Sequence, residues 1–265
     1  MPSAVLCLWH PTHLRRPAPR QPRRNLEVPR SENPEAQGRS QSGGRGVRLR
    51  LTFAKQGALR YTGHLDVQRI WERTVRRAGL PLAYTHGFRP RPKIQLASAL
   101  PLGFASRAEI VDVWLEEDLS PDEALRARLQ ENAPPGLEIL RLERVDDRAP
   151  ALQNQLRAAE YEVTLLDAPP EPELDRRVRA VLEAGSLPRT RRGKTYDLRP
   201  LIESLRLLPP DAQGRPRLAM RLAAREGATG RPDEVLAALS IPLHAARVER
   251  VGLIFEPQIN TEEHG

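Results

Sequence analysis

Hydrophobic and polar positions follow two different periods along the chain, beginning at Val47. Strict alternation over residues 47–53 predicts a half-buried strand. A helical period follows over residues 65–78 and ends at Gly79-Leu80-Pro81, the order of residues typical of a helix C-terminus. Residues 93–99 and 109–115 are then predicted to be strands.

The next helix signal is Ser120-Pro121-Asp122-Glu123, which has the form of a capping box with proline at the first helical position. The predicted helix ends before Pro134-Pro135-Gly136, and residues 137–145 form a further strand. The order β-α-β-β-α-β is typical of the ferredoxin-like fold.

The same order of elements is predicted a second time. Its signals are a strand at 161–165, a helix at 174–182, strand-like residues at 195–198, a strand at 217–223, a helix at 232–239 and a strand at 246–255. The sequence therefore predicts an α+β protein of two ferredoxin-like halves, 47–145 and 159–255, joined by a linker over 146–158.

Both ends of the chain lack hydrophobic periodicity. Residues 1–46 are rich in Pro, Arg, Ser, Gln and Gly, which predicts a disordered basic tail, and residues 256–265 are expected to form a short C-terminal tail. The basic tail is either an arm for nucleic acid or a dispensable extension. The formal net charge of +8 favours a polyanionic partner such as RNA.

Composition excludes several chemistries. Cys7 is the single cysteine, so one chain cannot form a disulfide, a cysteine zinc site or a cysteine-ligated iron–sulfur cluster. No apolar run approaches the roughly 20 residues of a membrane span, and the short apolar run near the start lacks a signal peptide's basic region. We expect a cytoplasmic protein with no membrane partner, no bound metal and no cofactor.

Polar side chains are densest in two segments around the first predicted helix. The candidate substrate- or partner-binding residues are Arg60, Tyr61, His64, Asp66, Tyr84, His86, Arg89, Arg91 and Lys93. His64 and Asp66 are also the candidate catalytic residues, since an imidazole titrates near neutral pH. Alternatively, His64 binds a loop carbonyl and Asp66 complements the helix N-terminus. A metal site of His64, His86 and Asp66 is disfavoured, because no helical i,i+4 histidine pair supports it.

Arg89, Arg91 and Lys93 alternate between prolines, which hold the chain extended. This row of cations suits a phosphate or carboxylate partner, or else guards an exposed edge. We expect residues 87–93 to lie beside the His64 turn and to form one cleft with it.

A second basic segment is the candidate nucleic-acid contact. It consists of Arg189, Arg191, Arg192 and Lys194 around Gly193. These side chains suit a phosphate backbone, although solvated basic hairpins are common. On the open sheet face we expect Arg48 and Arg50 near Asp112 and Trp114. An RNA-recognition sheet would present two or three stacking aromatics, and here only Trp114 is placed to do so.

With these residues in hand, the chain resembles a family known as the radical-SAM-associated domain of unknown function. The matching segments are Leu59–Asp66, Glu72–Pro81, Tyr84–Lys93, Ala97–Gly103, Asp197–Pro200 and Arg231–Leu236. The resemblance covers residues 47–255. Where the family usually has serine before His-Leu-Asp, this chain has Gly63, which argues against a catalytic hydroxyl there.

The resemblance implies an accessory protein that works with a separate radical SAM enzyme, because members occur beside, or fused to, B12-binding-type radical SAM proteins. Neighbouring genes in the family imply an RNA or ribosomal setting. With one cysteine the chain is not itself a radical SAM enzyme. Two alternatives stay open: a free-standing RNA-binding module, and an RNA-modifying or hydrolytic enzyme using His64 and Asp66.

Overall fold

The computed structural model describes residues 46–191 and 193–256, which form a mixed α+β fold around a large sheet. Residues 1–45 and 257–265, nearly all of the two predicted tails, lie outside the described residues. The strands are β1 (Val47–Lys55), β2 (Ile94–Leu96), β3 (Ala105–Leu115), β4 (Leu137–Val145), β5 (Leu156–Leu165), β6 (Pro188–Arg191), β7 (Lys194–Asp197), β8 (Ile202–Leu208), β9 (Arg217–Arg225), β10 (Ala228–Thr229) and β11 (Ala246–Phe255). The helices are α1 (His64–Arg77), α2 (Glu123–Glu131), α3 (Leu152–Gln155), α4 (Glu171–Glu183) and α5 (Pro232–Ala238). None of the described helices is long and apolar enough to cross a membrane.

Nine strands form one sheet in the order β10-β9-β5-β11-β3-β1-β4, with β2 also paired to β3 and β8 to β9. Strands β6 and β7 form a separate hairpin. Strand β11 runs parallel to β3, where Glu249 pairs with Ala105 and Arg250 with Ser106. Because β1 is antiparallel to β3 and β5 is antiparallel to β11, β1 and β5 run in the same direction.

Two hydrophobic cores pack against this sheet. The first gathers side chains of β1, β3, α1 and α2, and includes Phe53 and Trp71, whose rings meet edge to face at 5.0 Å. The second gathers side chains of β5, β9, α4 and α5, among them Val163 and Leu174. Each such fully buried side chain contributes about 1.5–3 kcal/mol to the stability of the folded state by leaving water. The two cores therefore hold the helices on the strands that carry these side chains.

Helix α1 forms because its apolar side chains share one face. Val67, Trp71 and Val75 are buried in the first core, while Arg69 and Arg73 face solvent. The helix stops at the predicted place, where Gly79 adopts a φ of 64°. Glycine accepts this left-handed conformation without the Cβ penalty of other residues.

Helix α2 begins two residues later than the capping box predicts. The N-cap is Asp122, whose carboxylate accepts a hydrogen bond from the Leu125 amide at 2.8 Å, so neither Ser120 nor Pro121 is in the cap and first-turn positions predicted for them. Both Ser and Asp are favoured N-caps, and only the geometry selects between them.

Two strand predictions also need correction. Strand β2 is limited to Ile94–Leu96, inside the predicted 93–99. Strand β8 was not predicted at all, because a register shift between Ile202 and Ser204 interrupts its alternation. The strand-like residues 195–198 instead contribute to the β6–β7 hairpin.

The segment predicted as a linker, 146–158, contains α3 and the start of β5. It crosses the open face of the sheet, where the Ala149 carbonyl accepts a 2.7 Å hydrogen bond from Arg48. The predicted grouping on this face is confirmed: Asp112 accepts hydrogen bonds from Arg48 at 2.9 Å and from Arg50 at 2.8 Å. The Arg48 guanidinium lies 4.8 Å from the Trp114 ring centroid.

Candidate functional site

His64 is the first residue of α1 and follows Gly63, an N-cap that makes no side-chain cap hydrogen bond. Its side chain is half-buried, and its charged neighbours are Glu109 of β3 and Arg250 of β11, at the junction of these two strands. Burial lowers the pKa of His64 below its ordinary value; among its charged neighbours, Glu109 opposes this shift and Arg250 adds to it. The imidazole is therefore held toward its neutral form, which can accept a proton.

Three buried charged side chains lie at the same junction. Lys55, Glu109 and Arg250 are 2%, 5% and 0% exposed. Lys55 continues the alternation of Leu51 and Phe53 on the buried face of β1, so its ammonium is directed inward, opposite Ser106 of β3. Lys55 Nζ donates a 2.9 Å hydrogen bond to the Thr62 carbonyl, and burial lowers the pKa of Lys55.

Arg250 occupies the centre of this junction. Its guanidinium donates to the Ala99 carbonyl at 3.2 Å and to Glu109 at 3.3 Å, and it lies 6.0 Å from the Tyr161 ring centroid. Nε and Nη1 have no hydrogen-bond partner among the described residues. Burial raises the pKa of Tyr161, so its hydroxyl is kept protonated. Together with His64, these residues form what we call the junction cluster: Lys55, His64, Glu109, Tyr161 and Arg250.

Asp66 does not join this cluster. It is exposed and pairs with Arg69 at 3.3 Å on the solvent side of α1. The two candidate catalytic residues therefore lie in different environments, His64 against the interior and Asp66 at the surface. Asp66 complements the N-terminal end of the helix dipole, as the second interpretation of this turn predicts.

Arg60 and Tyr61 end a short 3₁₀ turn before α1. The Arg60 guanidinium lies 4.7 Å from the Tyr61 ring centroid, while the Arg60 carbonyl accepts a 2.8 Å hydrogen bond from the Gly103 amide. Tyr61 is exposed, and Nε of Arg60 is buried with no hydrogen-bond partner among the described residues.

The segment 83–93, which we call the first hairpin, folds back on itself between α1 and β2. The Thr85 amide donates to the Arg91 carbonyl at 2.8 Å, and Gly87 makes the turn with a φ of 127°. Its tip carries exposed cations and one aromatic ring. These exposed side chains are His86, Phe88, Arg89 and Arg91, and Phe88 is fully exposed; Lys93, at the base, is half-buried.

The structure separates the first hairpin from the His64 turn, contrary to the expected shared cleft. Tyr84 accepts a 2.6 Å hydrogen bond from Arg76 in the last turn of α1, whereas His64 is the first residue of that helix. At 1.5 Å of rise per residue, Arg76 and His64 are about 18 Å apart along the helix axis. The Tyr84 side of the hairpin therefore lies far from the His64 turn, although its base is nearer, since Gln68 of α1 donates a 3.5 Å hydrogen bond to the carbonyl of Ile94, next to Lys93.

Residues 188–197, strands β6 and β7, form what we call the second hairpin. Arg189 approaches Glu234 of α5 at 3.6 Å, while Arg191 and Lys194 are exposed near the tip. Arg192, the fourth predicted contact, lies outside the described residues. The basic segment is thus a hairpin, as one interpretation of the sequence had it, and its exposed cations are available to a ligand.

Sequence reasoning missed Lys55, Glu109, Arg250 and Phe88. A signal existed for Glu109, because the alternation of Val111 and Val113 places it on the buried face of β3. Phe88 was named within the polar segment 84–93 but not as a candidate site residue, although a large aromatic between glycine and arginine is unusual for a turn. Among the described residues, no three His, Cys, Asp or Glu side chains gather as a metal site would require.

Comparisons with solved structures give low similarity. The chain is 13% identical to a chain of the archaeal box H/ACA sRNP Nop10-Cbf5 complex over 76% of its own length and 46% of that chain, with a TM-score of 0.36. It is 11% identical to the acetolactate synthase small subunit from Thermotoga maritima, covering 79% and 95% of the two chains, with a TM-score of 0.24. A putative glycine cleavage system transcriptional repressor is 12% identical, with coverage of 79% and 98% and a TM-score of 0.21.

The chain spans under half the length of the first of these chains. TM-scores this low establish neither a shared activity nor a shared ligand. No curated protein matches the chain. A family model does match it, over residues 48–232, and that family is described as "Uncharacterized protein conserved in bacteria (DUF2344)". None of these matches concerns a radical SAM enzyme, so that association stays a prediction. Because the match covers more than half of the chain, this protein belongs to the DUF2344 family of uncharacterised bacterial proteins.

Proposed function

We propose that this protein is a non-catalytic accessory protein that binds single-stranded RNA on its two basic hairpins and presents it to a partner enzyme. The observation that carries the proposal is that both hairpins leave the sheet at the same edge. Near the first hairpin, the Ala83 amide bonds to the Trp114 carbonyl, and Trp114 pairs with Arg48 at the start of β1. Near the second, Ile202 pairs with Leu222, which pairs with Ala159 at the start of β5.

Because β1 and β5 run in the same direction, their starting ends lie at one edge of the sheet. The order β4-β1-β3-β2 recurs as β11-β5-β9-β8. This recurrence supports the interpretation that the chain holds two ferredoxin-like copies, with one basic hairpin inserted between the first helix and the second strand of each.

The chemistry of the first hairpin suits a single strand. A fully exposed phenyl ring, Phe88, stands among Arg89, Arg91 and His86. Proteins that bind single strands stack bases on aromatic rings and place cations along the phosphates, and each stacked base contributes about 1–3 kcal/mol. Arg191 and Lys194 on the second hairpin offer two further exposed cations to the phosphates.

The open face of strands β1 and β3, which carries Arg48, Asp112 and Trp114, is less suited to RNA. Arg48 is buried beneath the linker and bonded to Asp112, and its guanidinium covers Trp114. The ring that an RNA-recognition sheet would use is therefore already occupied on one side.

An accessory role fits the placement of the candidate catalytic residues, since His64 and Asp66 face different surroundings. The partner enzyme of the radical SAM class rests on the sequence resemblance alone. Purification of the full-length chain from native cells, with iron analysis and RNA sequencing of what accompanies it, separates the alternatives. An iron–sulfur protein and RNA together support the accessory role, whereas RNA alone makes the chain a free-standing RNA-binding module.

Direct binding is tested with the full chain and a fluorescently labelled oligo-uridine, by anisotropy over a range of salt concentrations. We expect Arg89→Ala/Arg91→Ala and, separately, Arg191→Ala/Lys194→Ala to weaken binding about tenfold and to reduce the salt slope. The matched control is Arg73→Ala/Arg206→Ala, which removes the same charge from exposed positions on α1 and β8. Equal affinity and salt slope in all four proteins would overturn the proposal.

A further inference from the structure

A cleft of about 1130 Å³ lies at the sheet edge opposite the two hairpins. It crosses the place where β3 and β11 pair, and it is bordered by Gln56 after the end of β1 and Leu166 after the end of β5. The cleft is therefore lined by residues of β3 in the first half of the sheet and of β5, β9 and β11 in the second. We infer that this cleft binds an acidic segment of a partner protein that carries leucine or aromatic side chains.

The first reason is the set of exposed apolar side chains that line the cleft. Seven large hydrophobic side chains are exposed in the described part of the chain, and four of them line this cleft. They are Tyr61, Leu102, Leu166 and Leu243. Exposed apolar side chains gathered at one concave site and rimmed by polar residues mark a protein-binding surface, whereas scattered ones do not.

The second reason is the net charge of the side chains that line the cleft. Glu162 is already bound by Arg107 and by Arg217, and Glu249 lies 3.5 Å from Arg107. Arg60 and Arg247 also line the cleft and have no carboxylate partner among the described residues. The cleft thus has a surplus of cations, which is complementary to carboxylates on a ligand.

The third reason concerns what the cleft disfavours. The surplus of cations attracts phosphates and carboxylates alike, so the uncharged side chains of the cleft decide between the two ligands. The cleft offers leucine side chains and a Tyr61 ring that the Arg60 guanidinium already covers, rather than free rings for stacking bases. Arginine and aromatic side chains such as tyrosine are enriched at protein–protein contacts, and the buried centre of such a contact is more apolar than its surroundings. A peptide therefore fits this surface better than a nucleic acid.

This inference goes beyond the proposed RNA function and does not depend on it, because the cleft and the hairpins are at opposite ends of β1 and β5. The test uses the full chain as bait for a displayed library of random peptides of about 16 residues. Selected sequences should combine Asp or Glu with Leu, Phe or Trp. One synthetic peptide from the selection is then measured by fluorescence anisotropy.

We expect Leu102→Asp, and separately Arg60→Ala/Arg247→Ala, to weaken peptide binding by about tenfold or more. Leu65→Asp is the matched control, since Leu65 and Leu102 are 65% and 63% exposed and only Leu102 lines the cleft. Leu243→Asp provides a second variant if Leu102→Asp lowers the melting temperature. Affinity for oligo-uridine should stay unchanged in every cleft variant, which keeps failure of this inference separate from failure of the RNA proposal.

Two results would overturn the inference. One is a selection whose peptides bind the cleft variants as tightly as the original chain, or that yields no binding peptide. The other is a loss of oligo-uridine binding in Leu102→Asp with its fold retained, which would assign the cleft to nucleic acid.

Discussion

Arg250 Nε lies 2.9 Å from Glu109 Oε1, and the two residues are 141 positions apart in the chain. The pair joins β11 to β3 at the only parallel contact between paired strands of the described sheet. The Nε–H is not aligned with Oε1, so this contact is an ion pair, while Nη2 donates the pair's 3.3 Å hydrogen bond to Oε2. The two charges attract each other strongly because both side chains are buried.

Removing Glu109 should be strongly destabilising. Glu109→Ala leaves Arg250 and Lys55 buried without a carboxylate between them, and loss of one partner of a buried pair costs about 3–5 kcal/mol. Urea unfolding of the full chain measures this change. Glu203→Ala, which breaks the exposed pair with Arg221, serves as the comparison and should cost less than about 1 kcal/mol. Equal effects would show that the junction is hydrated.

Replacing both Arg48 and Asp112 should destabilise the protein less than replacing Asp112 alone. Asp112 is 0% exposed and accepts hydrogen bonds from both Arg48 and Arg50. Asp112→Leu alone leaves these two cations without a carboxylate and should lower the free energy of unfolding by about 3–5 kcal/mol. Arg48→Met in the same chain removes the buried member and should recover part of that loss, since Arg50 is the more exposed cation. A double variant less stable than Asp112→Leu would contradict this account.

The order of most elements was predictable from local patterns because hydrophobic alternation is a local property. Arg48 near Asp112 was predictable as well, since β1 and β3 pair along most of their length. Lys55 continues the alternation of Leu51 and Phe53, but its burial was not expected, because lysine is almost never fully buried unless it is paired. The Arg250–Glu109 pair was beyond local reasoning, since it depends on a two-residue parallel contact between distant strands.

The separation of the two polar segments shows a second limit. Closeness in sequence suggested that His64 and the first hairpin share a cleft. Helix α1, however, has 14 residues, and His64 begins it while the Tyr84 side of the hairpin contacts its last turn. The reverse holds for the two hairpins, which are far apart in sequence but share a sheet edge. That relation follows from strand directions, which the alternation of residues does not encode.

Stability should depend on pH through His64. Because burial lowers the pKa of the folded imidazole below 6.5, the unfolded chain takes up the proton first as the pH falls. The stabilising contribution of neutral His64 is therefore present above that value and is lost as pH falls from there through the lowered folded pKa. We expect the drop in urea midpoint between about pH 7.5 and about pH 5.5 to be smaller in His64→Gln than in the original chain. The same drop in both proteins would mean that His64 is hydrated in the folded state.

Phe88 and its neighbouring arginines should affect RNA binding in separable ways. A stacked ring contributes affinity that does not depend on counterion release, whereas each phosphate contact contributes to the salt slope. Phe88→Ala should therefore lower affinity for oligo-uridine by about 1–3 kcal/mol and leave the slope unchanged, while Arg89→Ala/Arg91→Ala should lower both. Phe88→Trp should keep the affinity. The control is Leu65→Ala, which removes an exposed apolar side chain from α1, outside the hairpin, and should leave the affinity unchanged. Folding should be unaffected within about 0.5 kcal/mol, because Phe88 makes no buried contact in the folded chain. If Phe88→Ala binds as tightly as the original chain while the arginine variant does not, the hairpin acts through charge alone and makes no contact with bases.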